Sequence, residues 1–135
     1  MEHQAVNARV IEQFRSGGPV EGMTREGLLL LTTVGRRTGT PRTTPMMFHR
    51  FGDRLLVMAS NAGAAKAPDW YVNLVAHPRV IVEAPDATYD AVAGTLIGAD
   101  RAAAWDDVVR AFPFFADHQR KAGRVIPLVE LVGLS

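Results

Sequence analysis

The 135-residue chain contains no cysteine. That excludes disulfides, thiolate nucleophiles and Cys-ligated zinc or iron–sulfur centres, and it suits a reducing cytoplasm. A dominant charge is lacking as well: fifteen Lys and Arg face fourteen Asp and Glu, for a net charge of +1. Bulk electrostatics therefore points to neither nucleic acid nor an anionic membrane, and anion selectivity has to come from local clustering. No apolar stretch approaches the ~20 residues that span a bilayer. Met1-Glu2-His3-Gln4 lacks the basic start and apolar run of a signal peptide. His3, His49, His77 and His118 are too scattered for a metal motif, no Gly-x-Ser-x-Gly elbow exists, and Asp106-Asp107 diverge on a helix. What remains has the length of one domain, able to bury roughly two-thirds of its unfolded surface.

Periodicity supplies the elements. Val6, Val10, Ile11 and Phe14 make a short helical stripe within Gln4–Arg15, stopped by Ser16-Gly17-Gly18-Pro19. Leu28 to Val34 reads as a buried strand. Arg42–Arg50 and Arg54–Ser60 read as strands around Phe51-Gly52-Asp53, with Pro45 expected at an edge or near a strand start. Asp69 is expected to cap a helix whose apolar face is Trp70, Tyr71, Leu74 and Val75. Arg79–Ala84 and Thr88–Ile97 form another hairpin. Asp100 opens a helix with Trp105, Val108, Val109 and Phe112 on one face, ended by Pro113. Phe114–Ala122 is a short helix or turn, and Val125–Val132 a last strand. Strands mostly in hairpins, with few helices, predict an α+β fold, a closed or split β-barrel of mainly antiparallel strands. Residues 1–26 form a helix and connector ahead of a barrel spanning 27–135, a single domain overall.

Three stretches carry chemistry. Gly35 to Pro45 gathers Arg36, Arg37 and Arg42 with Thr38, Thr40, Thr43 and Thr44 around two glycines. Guanidinium forks and hydroxyls suit a phosphate or a carboxylate-rich tail, and glycine admits close backbone approach. The spacing is not that of a P-loop. A solvated hairpin with arginines on its rim fits the same composition. Ser60-Asn61-Ala62-Gly63 follows a strand directly, where small residues leave room for a flat ligand or simply make a turn. Lys66 reaches an anion or snorkels into water. Trp70 reads as core, while Asp69, Tyr71 and Asn73 are polar groups a helix could present to a cofactor.

Leu30 to Pro45, Ala59-Ser60-Asn61-Ala62-Gly63 and Pro68-Asp69-Trp70-Tyr71-Val72-Asn73-Leu74-Val75-Ala76-His77-Pro78 together resemble the deazaflavin-dependent nitroreductase family. Order and spacing are preserved over nearly all of Leu28–Leu131. The resemblance implies a split β-barrel related to flavin-mononucleotide-binding barrels and use of coenzyme F420, an 8-hydroxy-5-deazaflavin. It implies hydride transfer to quinones, conjugated enones or lactones, and in some members nitroaromatics. Carried over by position, Arg36, Arg37 and Thr38 would face the phosphate and acidic tail. Arg42, Thr43, Thr44, Pro45, Met46 and Met47 would follow the stem and ring. Met58, Ala59, Ser60 and Asn61 would lie at the deazaflavin, with Lys66 nearby and Asp69, Trp70, Tyr71, Val72 and Asn73 closing the site. Ser60 would be the catalytic hydroxyl.

Two departures bear on substrate. Where nitroreductase members carry tyrosines, this chain has Phe112, Phe115 and His118, and Asn61 stands where some relatives have a basic residue. An apolar pocket wall of Phe112 and Phe115 predicts planar quinones or enones over nitroaromatics. His118 could replace a phenol as proton donor, its ordinary pKa being near neutrality. The alternatives are a barrel of the same shape using flavin mononucleotide (FMN), and a non-enzymatic binder of an acidic metabolite or lipid. The partner expected is a small-molecule substrate, without nucleic acid or an integral membrane segment. Peripheral membrane contact stays open, as does monomer against homodimer.

Overall fold

The run Leu28-Leu29-Leu30-Leu31 is apolar at every residue because both faces of its strand are covered. In the computed structural model, which describes residues 2–134 and side chains from residue 7 onward, Leu29 and Leu31 point into a barrel. Leu28 and Leu30 point outward beneath the helix α1 (Glu2–Ser16), packed with Val10, Phe14 and Val20. The expected side chain of Val6 lies outside the described residues. Arg25 fastens this helix: its guanidinium donates to the Phe14 carbonyl at 2.7 Å and lies 4.5 Å from the centre of the Phe14 ring.

Six strands close the barrel in the order β1-β2-β3-β6-β5-β4, every pairing antiparallel. They are β1 (Leu28–Val34), β2 (Pro41–Phe51), β3 (Arg54–Met58), β4 (Arg79–Glu83), β5 (Thr88–Thr95) and β6 (Leu128–Gly133). With the helices α1, α2 (Asp69–Ala76), α3 (Gly98–Ala111) and α4 (Phe114–Ala122), this is the expected α+β barrel. The interior holds Leu29, Leu31, Phe48, Leu55, Val57, Val80, Val82, Val129 and Leu131, with Leu74, Trp70 and Tyr71 of α2 packed against it. Helices α3 and α4 cover the outer face of β2, β3 and β6 through Ala104, Val108, Phe115, Leu56, Met58 and Leu128.

Several expectations are corrected. β3 stops at Met58 rather than Ser60, β5 at Thr95 rather than Ile97, and β6 starts at Leu128 rather than Val125. Apolar residues next to a strand do not extend it once its neighbour turns away. Pro68, not Asp69, precedes α2, and no side chain caps that helix. Val75 is 59% exposed, because Leu74 already fills the buried side of α2. Pro45 does sit on an edge, as expected, although in mid-strand opposite Leu30 of β1. It is tolerated because β3 pairs only Phe48–Phe51 of β2, leaving residues 41–47 without a strand on their second side.

Arg54 ties α3 to the barrel with bonds of 2.8 and 2.7 Å to Asp100 and 3.1 and 3.0 Å to Glu130. The hydrogen bonds from Arg54 hold the Asp100 carboxyl below its ordinary pKa. A depressed carboxylate stabilises the fold fully above its unfolded pKa, and the contribution is lost as pH falls through the folded value. The stabilities of Asp100→Asn and the parent chain are therefore expected to differ by a constant amount well above about pH 4 and to draw together progressively as pH falls below it. Equal separation at all pH values would mean the tether is indifferent to charge.

Among the described residues no helix is long and apolar enough to cross a membrane, and no group of three His, Asp or Glu is placed to hold a metal ion.

Candidate functional site

The basic loop is built as a closed hairpin. Gly35 N donates to Thr40 O and Gly39 N to Gly35 O, both at 2.9 Å, while Thr38 Oγ1 accepts from Thr40 N at 3.2 Å. A Cβ on Gly35 would stand 2.8 Å from Thr38 Oγ1, and Gly39 has a φ of +73°, so glycine is required at both positions. Arg36 is held inward. Its backbone amide and Nη1 donate to Asn73 Oδ1 at 3.1 and 2.8 Å, and its Nη2 lies 3.7 Å from Asp69. Asn73 is 3% exposed, so its carboxamide clamps the loop onto α2. Trp70 and Tyr71 pack on the barrel, with the Tyr71 hydroxyl 3.0 Å from Thr95 Oγ1, and Val72 is exposed.

Arg37, Thr38 and Arg42 are exposed. Arg9, Arg15, Arg36, Arg50, Arg54, Arg79, Arg110 and Arg120 each have a carboxylate partner. Arg37, Arg42 and Lys66 have none among the described residues. A chain that pairs most of its arginines thus leaves cations free in the stretches singled out for an acidic ligand.

Strand geometry divides the next six candidates. Arg42, Thr44 and Met46 lie opposite Thr33, Leu31 and Leu29, on the inner face of β2. Thr43, Pro45 and Met47 lie opposite Thr32, Leu30 and Leu28, on the outer face, where Thr43 Oγ1 meets Thr32 Oγ1 at 2.7 Å. On that outer face α1 covers the β1 side, and Met47 packs with the cluster of Met58, Phe112 and Phe115. From Arg42 to Met47 the strand runs about 17 Å, with its second side unpaired throughout.

Met58 and Ala59 are buried, and Ala59 N donates to Pro127 O at 3.0 Å. Ser60 is 7% exposed and makes no side-chain cap bond to the turn it opens. That turn carries two successive non-glycine residues with left-handed backbone, Asn61 (φ +49°) and Ala62 (φ +53°). Each costs on the order of 1–3 kcal/mol and persists only where the surroundings impose it. Asn61 Nδ2 donates to Lys66 O at 3.0 Å, and the Lys66 side chain is exposed.

Against this turn lies α4. A Cβ on Gly63 would stand 3.3 Å from His118 O and 3.1 Å from Lys121 Cδ. The His118 ring meets Phe114 and Phe115 edge-on at 5.4 and 5.7 Å, and its Nδ1 is buried without a partner. Phe115 is 4% exposed and sits in the helix–barrel core; Phe112 is half-buried, and Phe114 is 39% exposed. Two sets of contacts are not legible in the sequence. His49 pairs with Asp107 at 2.7 Å and meets Phe112 edge-on at 5.8 Å. Arg124 donates to carbonyls of the Ala59–Lys66 segment. Neither has a local sequence signal, because the partners are distant along the chain.

Residues 6–132 match the family described as F420H(2)-dependent quinone reductase. An F420H(2)-dependent quinone reductase of Mycobacterium tuberculosis (strain H37Rv) is 34% identical over 106 residues, 76% of this chain and 71% of that protein. A solved structure of an F420-H2 dependent reductase superposes with a TM-score of 0.70 at 34% identity, covering 78% of this chain and 93% of its own. Another, described as a domain-swapped dimer, gives 0.73 at 31% identity over 96% of this chain and 95% of its own.

Proposed function

Because the chain belongs to the F420H(2)-dependent quinone reductase family, we propose that the outer face of β2 holds reduced coenzyme F420 for hydride transfer to a planar quinone or enone. The observation that carries this reading is the set of unpaired cations at one end of a 17 Å strand edge, about the length from Arg42 to Met47, whose other end packs with Met58, two residues before Ser60. The donor set fits the group. Free guanidinium forks meet the acidic tail, and neutral hydroxyls and an apolar floor meet the stem and ring.

The reduced cofactor supplies two electrons as a hydride. The chain does the rest. Arg37, Thr38 and Arg42 bind the anionic part, and Arg36 joins them while held by Asn73 and Asp69. Thr43, Pro45 and Met47 form the floor of the groove, with Thr44 and Met46 behind them on the inner face. Met58, Ala59 and Asn61 border the ring, and Lys66 adds positive charge. Trp70, Tyr71 and Val72 act through the helix that carries Asn73. Ser60 donates its hydroxyl to the substrate oxygen on which charge arrives. His118 carries the proton that completes reduction, and Phe112 with Phe115 backs the apolar wall. The likeness to a domain-swapped dimer supports a homodimer over a monomer.

Arg37→Ala and Arg42→Ala are each expected to raise the dissociation constant for F420 about ten- to a hundredfold, the loss of one charge-assisted hydrogen bond. The melting temperature should hold and the deficit should shrink with added salt. Arg36→Ala should weaken binding and also loosen the loop. Fluorescence titration with F420 and with FMN checks this. Unchanged affinity in all three variants, or tighter binding of FMN than of F420, overturns the reading.

A further inference from the structure

Several backbone carbonyls converge on one side chain beyond the end of β3. Arg124 Nη2 donates to Ala59 O at 3.2 Å, Ser60 O at 3.1 Å and Lys66 O at 3.2 Å, and its Nε donates to Ala64 O at 3.2 Å. The residue reaches this place because Gly123 ends α4 in the left-handed conformation, φ +66° and ψ +23°, turning the chain back beneath the loop. The bond from Ala59 N to Pro127 O then fixes the same connector to the end of β3. Among the described residues no carboxylate pairs with Arg124, so carbonyl dipoles answer its charge. A planar fork with five donors can span such a set; a lysine ammonium on a flexible stem reaches fewer of them.

The geometry has a direct effect on the other side of the loop. In a trans peptide the C=O and the following N–H point in opposite directions. With the carbonyls of Ala59 and Ser60 turned toward Arg124, the amides of Ser60 and Asn61 point away from it. Neither amide, nor that of Ala62 after them, donates to another group of the chain among the described residues, whereas Ala59 before this stretch and Gly63 after it are both bonded. Drawing Ser60 O, Ala64 O and Lys66 O to one cation also curls the segment, which accounts for the left-handed backbone of Asn61 and Ala62.

We propose that Arg124 is a positioning residue for hydride transfer: it gathers the carbonyls of the Ala59–Lys66 segment on one side and so fixes Ser60 at the groove along β2. It touches neither cofactor nor substrate. The assignment rests on the role given to Ser60, but its structural half can be tested without that role.

The test compares Arg124→Met, which keeps the bulk and removes the donors, with Arg124→Lys, which keeps the charge, in the full-length chain. Hydrogen exchange without cofactor is read at Ala59, Gly63 and Ala64. Arg124→Met is expected to speed exchange there at least about tenfold, the equivalent of one charge-assisted hydrogen bond, with β1, β4 and β5 unchanged. In the loaded enzyme kcat should fall about tenfold or more with the KM for a quinone little altered, and Arg124→Lys should recover part of both effects. Unchanged loop exchange in Arg124→Met overturns the proposal. So does exchange that rises equally throughout the sheet, or a lysine variant that restores the melting temperature but none of kcat. Should Ser60→Ala turn over normally while Arg124→Met still loosens the loop alone, the Ser60 role fails and the loop-holding role stands.

Discussion

Ser60→Ala is expected to slow single-turnover reduction of a quinone or enone by about ten- to a thousandfold, the range for losing one donor to a developing oxyanion. Affinity for F420 should change little. The residue is almost fully buried, yet its hydroxyl caps no amide of the turn it opens. A hydroxyl that caps no amide is available to a ligand, and removing it should leave the fold about as stable as before. The check is stopped-flow oxidation of bound F420H2 together with a melting curve. Hydride transfer as fast as in the parent chain would make Ser60 a packing residue. Lost turnover accompanied by a large drop in melting temperature would mean that the hydroxyl serves the fold.

The second large effect is on stability. Phe115→Ala is expected to cost about 3–5 kcal/mol, which for a chain of this length lowers the melting temperature by on the order of 10 °C or more. Phe115 lies between α4 and the outer face of β3 and β6, with Leu56, Met58, Val108 and Leu128 as neighbours, and other ring edges meet it from Phe112 and His118. Phe114 is its control. That ring lies 4.4 Å from Phe115, centre to centre, but is 39% exposed. Phe114→Ala should spare stability, and any part the cluster plays in holding an apolar substrate should appear as a raised KM. A Phe115→Ala variant as stable as the parent chain, with a raised KM, would place Phe115 on the surface of the pocket and not in the core behind it.

How much of this was legible in the sequence depends on where each residue's partners lie. Hairpins declare themselves locally, so Gly52-Asp53, the β4–β5 pair and the Trp105–Phe112 stripe could be read directly. Leu28–Leu31 could be recognised as a strand but not assigned a face, because helix and barrel interior bury alternate residues of the same run. Asp69 had the chemistry of a cap and stands at the start of α2, yet its carboxylate lies toward Arg36 instead. The basic loop was readable as an anion site from composition. That Arg36 answers to Asn73, 37 residues on, was not. Arg124 is the extreme case: a lone arginine after a glycine, bonded to carbonyls 58 to 65 residues away.

One feature of β2 bears on how readily its open margin can pair with another chain. Phe51 and Arg54 close a two-residue turn with Gly52 at its first position (φ +65°), so this closing pair exchanges both of its ladder bonds. Counting back through an unbroken register, the odd-numbered residues of β2 direct their N–H groups toward β3 and the even-numbered ones toward β1. Residues 41–47 therefore offer an open margin to which another chain's strand could add, the usual route to self-association of sheets. Proline stands at positions 41 and 45, both odd, so two of the donors such an added strand would need do not exist. A barrel can in this way leave a slot in its wall long enough for a cofactor without the slot templating fibrils, and replacing both prolines would expose the molecule to that hazard before it impaired the fold.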